Sequence, residues 1–479
     1  MEPRPMTACQ AADAVNRGEI SARRLTEDAL KRCADLNKKL NTFLYIAGAE
    51  ALEAADEVDR KVKIGQKLPL AGVPLAVKDD FCYSPLPTSF GSPAFAQSFS
   101  PYSAAAVEKL IEAGAVVIGK TNLDDMGIGS TTLSSPAGPA LNPWFDNRPA
   151  GSAGAAAVAA GQCLLALDSD YSGALRQGSS HCGVFGLRPT TGLISRYGLA
   201  LTSSSFGQAG IVAPAAEDIL AALRALSGFD PRDAATAASK GLPDADGAAD
   251  AEPASLKIGC PSIKVNLLDA DHRALFDQSR ERFQDKGFQL IDIKLDLLVE
   301  ALRAYYVIAL SEISSNLSRY DGIRFGKAAA VDNLDDLYDQ SRGLTFGREA
   351  RRASIFGTVL LSQGSYDRYY RQALKVWNMV RNEFETALGQ CDLLILPAVR
   401  TLPGLKPAAE KDLTTRFDED LFCAPLSMAG LPSLIMPAGE LEQQPVGIQL
   451  IGPAFREKFL IAAAAHINPQ VKISPERAC

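Results

Sequence analysis

The chain is poor in the residues that most often build metal and redox centres. Its 479 residues include three widely spaced histidines, and its nine cysteines form no C-x-x-C pair. A histidine-rich metal site is therefore not expected, and no motif calls for a cofactor. An odd number of unpatterned cysteines points to reduced, mostly buried thiols rather than a disulfide framework. Basic residues are outnumbered: 49 Lys and Arg against 56 Asp and Glu give a net charge of −7. That balance excludes a broad basic face for nucleic acid, because phosphate affinity needs clustered cations. A local patch or a basic partner protein stays open. No apolar run reaches the roughly 18 residues of a membrane span. The amino terminus, MEPRPMTACQAADAVNRGE, lacks the apolar stretch of a signal peptide, so the cytoplasm is the expected compartment.

What is present suits a large globular unit. With 47% apolar and 22% charged residues, the chain has material for a sizeable core. Helical spacing over Thr7–Leu36 predicts two helices, the second starting near Ser21. Pro69–Val77 is an apolar run leading into Lys78, Ala104–Ala113 is helical by pattern, and Ala115–Ile118 is a strand candidate. Strand-like and helix-like pieces continue to alternate, which is the pattern of an α/β layer fold. Residues 230–254, rich in Ala, Asp and Pro, read as an exposed connector. Beyond it come a strand at Leu256–Cys260, an amphipathic helix at Ala270–Lys286, helical runs at Leu297–Leu317 and Tyr366–Gln390, and a buried strand at Asp392–Leu396.

The stretch from Pro149 to Gly192 organises the rest. It contains a small-residue loop at Ala150–Gly154, an alanine-rich helix from Ala155 to Ala160, a short strand at Cys163–Leu167 and a polar turn at Asp168–Gly173. Small residues at a helix start let backbone N–H groups approach a ligand and suit a developing oxyanion; a tight loop closing a packed helix is the plain alternative.

Three pieces of this stretch, AGSAGAAAV, DYSGALRQG and CGVFGLRPT, resemble the GGSSGGS, DTGGSIRQP and CG-x-x-GLKPT runs of the amidase signature family. The resemblance extends over nearly the full chain. GVPLAVKDDF is similar to the family's lysine segment. SEISSNLSRYDGIRFG, FGREARRASIFGTVLLSQGSYDRYY and CAPLSMAGLPSLIMPAG resemble the branch formed by the A subunits of glutamyl-tRNA(Gln) and aspartyl-tRNA(Asn) amidotransferases. This implies one domain over residues 1–479, an α/β fold with a mixed β-sheet sandwiched between helices. The implied activity is amide hydrolysis by a Ser–cis-Ser–Lys triad, in that branch glutamine-hydrolysing glutaminyl-tRNA synthesis. No metal or cofactor is implied. The implied partners are a small C subunit and a tRNA-binding B subunit.

Residue by residue, the resemblance carries over unevenly. Lys78 falls on the general-base lysine; at the end of an apolar strand, burial is expected to lower its pKa and make it a proton acceptor. As an ordinary lysine it would lie at the surface beside Asp79 and Asp80. Ser152 is the best match to the bridging serine, although a serine there also serves as a helix N-cap. The nucleophile's position is Ala174, and a methyl group cannot attack a carbonyl. Gly173 and Ser172 complete the oxyanion turn, and Tyr171, where the family has a small threonine, is expected to fill part of the substrate space. Asp420 falls on the aspartate that holds a glutamine α-amino group, and Arg352 is the candidate for the α-carboxylate, with Ala353 the alternative in that slot. Two function classes follow. One is a non-hydrolytic A-subunit-like protein that binds an amide or amino-acid ligand or partner subunits. The other is an active amide hydrolase or amidotransferase component with an altered nucleophile.

Overall fold

The computed structural model describes residues 6–145, 147–236, 256–263, 267–402 and 418–467. Among these, short apolar segments pair into one sheet of eleven strands. In chain order they are β1 (Phe43–Ile46), β2 (Pro74–Lys78), β3 (Val116–Thr121), β4 (Leu165–Asp170), β5 (Phe185–Arg188), β6 (Gln208–Ala213) and β7 (Lys257–Pro261), followed by β8 (Gln289–Ile293), β9 (Leu393–Pro397), β10 (Ser433–Leu441) and β11 (Gln444–Ile451). Their order across the sheet is β1-β3-β2-β4-β6-β5-β10-β11-β9-β7-β8. β2 runs parallel to β3 and β4, and β7 runs parallel to β8 and β9, while the remaining pairs are antiparallel. The expected mixed sheet flanked by helices is the fold found.

The central strands β2, β3, β4, β5, β6, β9 and β11 are buried along their whole length. Burial on both faces accounts for the apolar runs that open β3 and β4 and places helices on both sides of the sheet. Helices Ala22–Leu40 and Gly48–Lys63 cover the β1–β3 end, and Ala270–Asp285 covers the β8–β10 region. A separate helical layer, Leu298–Leu317, Arg348–Leu361 and Arg371–Leu388, caps one side. Beneath it, Phe90, Phe95, Leu123, Met126, Ile313, Leu317 and Phe346 form a satellite hydrophobic cluster beside the main core.

Three sequence expectations change. The polar turn at Asp168–Gly173 is half strand: β4 runs on through Asp168, Ser169 and Asp170, paired with β6. Three consecutive polar residues stay in a buried strand because their side chains find partners, as described below. The run from Tyr366 begins as a π-helical turn, Tyr366–Tyr370, before the α-helix Arg371–Leu388. The connector is not wholly exposed at its start. Asp230 and Thr236 are buried, and Asp230 accepts from Ser195 Oγ at 2.7 Å and from Arg232 Nε at 2.9 Å. Residues 237–255 lie outside the described residues.

The loop before helix Ala153–Ala159 rests directly on helix Ala174–Cys182. Gly151 has φ +82°, and a Cβ there would come 2.9 Å from Gly178 Cα; a Cβ on Gly178 would come 2.4 Å from both N and Cβ of Ser152. Two bare backbones must meet for Ser152 to reach its place. Gly178→Ala would gain about 1 kcal/mol of helix propensity but should lose roughly 1–3 kcal/mol by overpacking, for a net fall in thermal midpoint. Gly343→Ala, on an exposed helix with nothing within 4 Å of the added Cβ, should hold or raise the midpoint. Calorimetry or far-UV melting of both variants checks the contrast.

Candidate active site

β2 and β4 deliver the centre of the site at their carboxyl ends, the usual position for ligands in open α/β sheets. Their parallel ladder sets Val77 beside Leu167, and one step further brings Lys78 beside Asp168. Lys78 Nζ lies 2.9 Å from Asp168 Oδ1 and donates to the Ser169 carbonyl at 3.1 Å. Asp168 Oδ1 also accepts from Ser169 N at 2.7 Å, and its Oδ2 accepts a short hydrogen bond from Ser152 Oγ. Ser152 is at the same time the N-cap of helix Ala153–Ala159, its Oγ accepting from Ala155 N at 3.0 Å.

The Asp168 contact reverses the expected titration of Lys78. Burial presses the ammonium toward deprotonation, but the charges of Asp168, Asp80 and Asp124 and the hydrogen bond to Asp168 outweigh it. Lys78 is held above the ordinary lysine range, as an ammonium rather than a ready base. Nearby, Asp80 accepts from Ser169 Oγ. Its carboxyl is pushed up to about 6, chiefly by burial and further by the Asp168 charge, with Lys78 and Ser169 opposing.

The second acid of β4 faces a different cation. Arg176 binds Asp170 in bidentate fashion, Nε to Oδ2 at 3.0 Å and Nη2 to Oδ1 at 2.8 Å. Its remaining donors reach Cys423 O at 2.9 Å and Ser427 Oγ at 2.8 Å. Burial opposes ionisation of Asp170, but Arg176 and Arg188 win and hold it below the usual carboxylate range. This bracket fixes helix Ala174–Cys182 against Ala424–Ala429, and with it the turn at Gly173. Gly173 has φ +137° and a Cβ there would lie 2.4 Å from Cys423 Cβ, so only glycine fits.

Ala174 is the first residue of its helix and is buried. It lines a small, tight cavity together with Lys78, Ser152, Gly151, Asp124 and Thr132. The three positions matched to the triad are therefore brought to one place. A larger cavity of about 850 Å³, partly open to solvent, adjoins it through Gly127 and Gly129, which line both. Tyr171, Ser172, Arg352 and Asp420 all line the larger cavity. Tyr171 donates to Ala200 O at 3.1 Å, and its ring leaves no room for a side chain at residue 207. It is a packed wall of the cavity.

Asp420 is buried and accepts from Gln177 Nε2 at 2.6 Å, from Ser130 Oγ at 3.1 Å and from Tyr306 OH. Burial raises its pKa, with the hydrogen bonds from Ser172, Tyr306 and Gln177 opposing. Arg352 lines the same cavity, its Nη1 3.3 Å from both carboxylate oxygens of Glu349 one helical turn earlier. Ala353 lines the same wall. Sequence reasoning missed Asp168, Asp80, Ser130, Gln177 and Tyr306. The one available signal was Leu167–Asp170, where two acids two residues apart share a strand face next to an apolar run. Among the described residues, no group of three or more His, Cys, Asp or Glu is placed to hold a metal ion, and no helix is long and apolar enough to cross a membrane.

The Amidase family profile matches residues 24–461. The chain is 36% identical over 477 residues to the glutamyl-tRNA(Gln) amidotransferase A subunit of Natranaerobius thermophilus, covering 99% of this chain and 97% of that protein. Among solved structures, it is similar to a chain from a vestigial protein complex bearing on the evolutionary origins of an s-triazine catabolic enzyme, with TM-score 0.85, 27% identity and coverage of 97% and 98%. The glutamyl-tRNA(Gln) amidotransferase A subunit of Thermotoga maritima aligns with TM-score 0.77 and 28% identity over 94% of this chain and 92% of that one. With the family profile spanning most of the chain and a near-full-length relative well above 30% identity, the chain belongs to the amidase family and has the amidase signature fold.

Proposed function

We propose that this chain is an amidotransferase A-subunit-like amidase relative that does not hydrolyse amides through a serine. The observation that carries this is the methyl of Ala174 at the helix start where Lys78 and Ser152 converge. An acyl-enzyme needs an attacking oxygen or sulfur at that place. Ser172, two positions earlier, lines the larger cavity instead. Productive attack needs the reacting atoms about 3–3.5 Å apart in alignment, which a shift between cavities does not preserve. Lys78 and Ser152 stand as remnants of the triad, with Ser172 and Gly173 keeping the oxyanion turn.

The larger cavity retains the means to bind without turnover. Asp420 offers a buried carboxylate for an amino group, and Arg352, which lines the same cavity, a guanidinium for a carboxylate. An amide or amino-acid ligand is the class that fits. The near-full-length similarity to A subunits supports docking to B- and C-type amidotransferase subunits, in the cytoplasm.

Incubation with a fluorophosphonate probe should leave the purified protein unlabelled at residue 174 and its neighbours, and glutamine should not be hydrolysed. Stoichiometric labelling of Ser172 or Ser152 together with turnover would establish the altered-nucleophile enzyme instead. For assembly, mixing with B- and C-type subunits from the same cell should give one co-eluting complex in size-exclusion chromatography that supplies no ammonia from glutamine. Elution as a free chain at micromolar concentration with no shift would refute the role in such a complex.

A further inference from the structure

The loss of a nucleophile at residue 174 does not explain the carboxylate beside it. Asp168 is buried at 1% exposure on a central strand, and its carboxylate binds three neighbours. Its Oδ1 receives Lys78 Nζ at 2.9 Å and Ser169 N at 2.7 Å; its Oδ2 receives the only proton Ser152 Oγ has to give. One lone pair of Ser152 Oγ accepts from Ala155 N at 3.0 Å. Lys78 in turn spends two donors on Asp168 and on the Ser169 carbonyl at 3.1 Å. A proton relay from residue 174 would need Ser152 to accept a proton while passing its own to a neutral Lys78. The onward step has no path in this arrangement, whatever side chain stands at 174, because the Ser152 proton goes to Asp168 and Lys78 is held in its own pair with that carboxylate.

We propose that Asp168 is a positioning residue that locks the site: it fixes Lys78 as an ammonium and directs the Ser152 hydroxyl into an ion-pair network, so that the centre stays closed to proton relay independently of Ala174. This rests on the non-hydrolytic function proposed above and adds a second, separable cause for it. A buried ion pair is also a poor candidate for casual loss, because removing one partner strands the other charge in the core.

Three variants, Ala174→Ser, Asp168→Asn and the two combined, test the lock by fluorophosphonate labelling mapped to position 174. In that reaction the introduced hydroxyl oxygen bonds to phosphorus and the P–F bond breaks with fluoride leaving. The hydroxyl proton moves to Ser152, and the proton of Ser152 moves to the Lys78 amine. Ala174→Ser alone should stay unlabelled near neutral pH. The combined variant should label about 100-fold faster, the usual worth of a positioned general base. Its rate should rise with pH as Lys78 loses its proton, a dependence that mere structural support would not create. Equal labelling of Ala174→Ser with and without Asp168→Asn overturns the proposal, as does a folded combined variant that labels no faster. Wild-type turnover through some other group would refute the non-hydrolytic function while leaving this comparison intact. Should the Asp168→Asn proteins fail to fold, ¹⁵N NMR of lysine amines in the wild type decides, with Lys78 assigned through Lys78→Arg. An ammonium signal persisting to about pH 9 is expected, whereas an unpaired buried lysine titrates several units lower, and titration near neutrality would overturn the lock.

Discussion

The parallel register of β2 and β4 is the constraint on which the rest of this molecule depends. It carries two acids, Asp168 and Asp170, into a buried strand, and each is tolerable there only because a cation meets it. Removing one member of such a pair typically costs about 3–5 kcal/mol, because the remaining charge is left without solvent. The two pairs therefore act as anchors. Lys78–Asp168 ties β2, β4 and the Ser152 loop together, while Arg176–Asp170 ties β4 to helix Ala174–Cys182 and, through Cys423 and Ser427, to Ala424–Ala429.

Everything in the candidate site hangs from those anchors. Gly151 and Gly178 bring the start of helix Ala153–Ala159 into backbone contact with the middle of helix Ala174–Cys182, Gly173 turns the chain at a φ closed to other residues, and Ala174 follows on the cavity wall. The helical layer completes the larger cavity from the other side, with Tyr306 and Arg352 supplied by two of its helices and Asp420 by the segment before Ala424–Ala429. The site thus draws on segments as distant in sequence as Lys78 and Asp420 and exists only in the folded chain.

The electrostatics explain why a residue inventory misjudges this centre. A buried lysine without a partner titrates low and suits a base; the same lysine 2.9 Å from a buried carboxylate titrates high and does not. Asp80, two residues along from Lys78, is pushed up as well, to about 6, but there the rise favours the neutral form, chiefly because the carboxyl is buried and the Asp168 charge is close by. The cluster holds Lys78 and Asp170 charged in closed pairs with Asp168 and Arg176.

Much of the fold was legible in the sequence, because it rests on local and periodic signals. Buried strands such as Leu393–Pro397 appear as short apolar runs, helices such as Ala270–Asp285 as amphipathic spacing, and the motif around Ala174 as a fixed order of small and polar residues. That order alone also singled out Lys78, Ser152, Tyr171, Ser172, Ala174, Arg352 and Asp420, all of which line the two adjoining cavities. The extent of β4 could not, since Asp168–Asp170 is a turn by composition and a strand only when Lys78, Arg176 and Arg188 are in place to neutralise it. The protonation of Lys78 was likewise hidden. Sequence determined which chemical groups the chain owns and which segments would be strands and helices, because propensity and periodicity are local. Only the tertiary structure decided which charges face one another, because at a few ångströms in a water-free interior the identity of the neighbour outweighs the intrinsic chemistry of the residue.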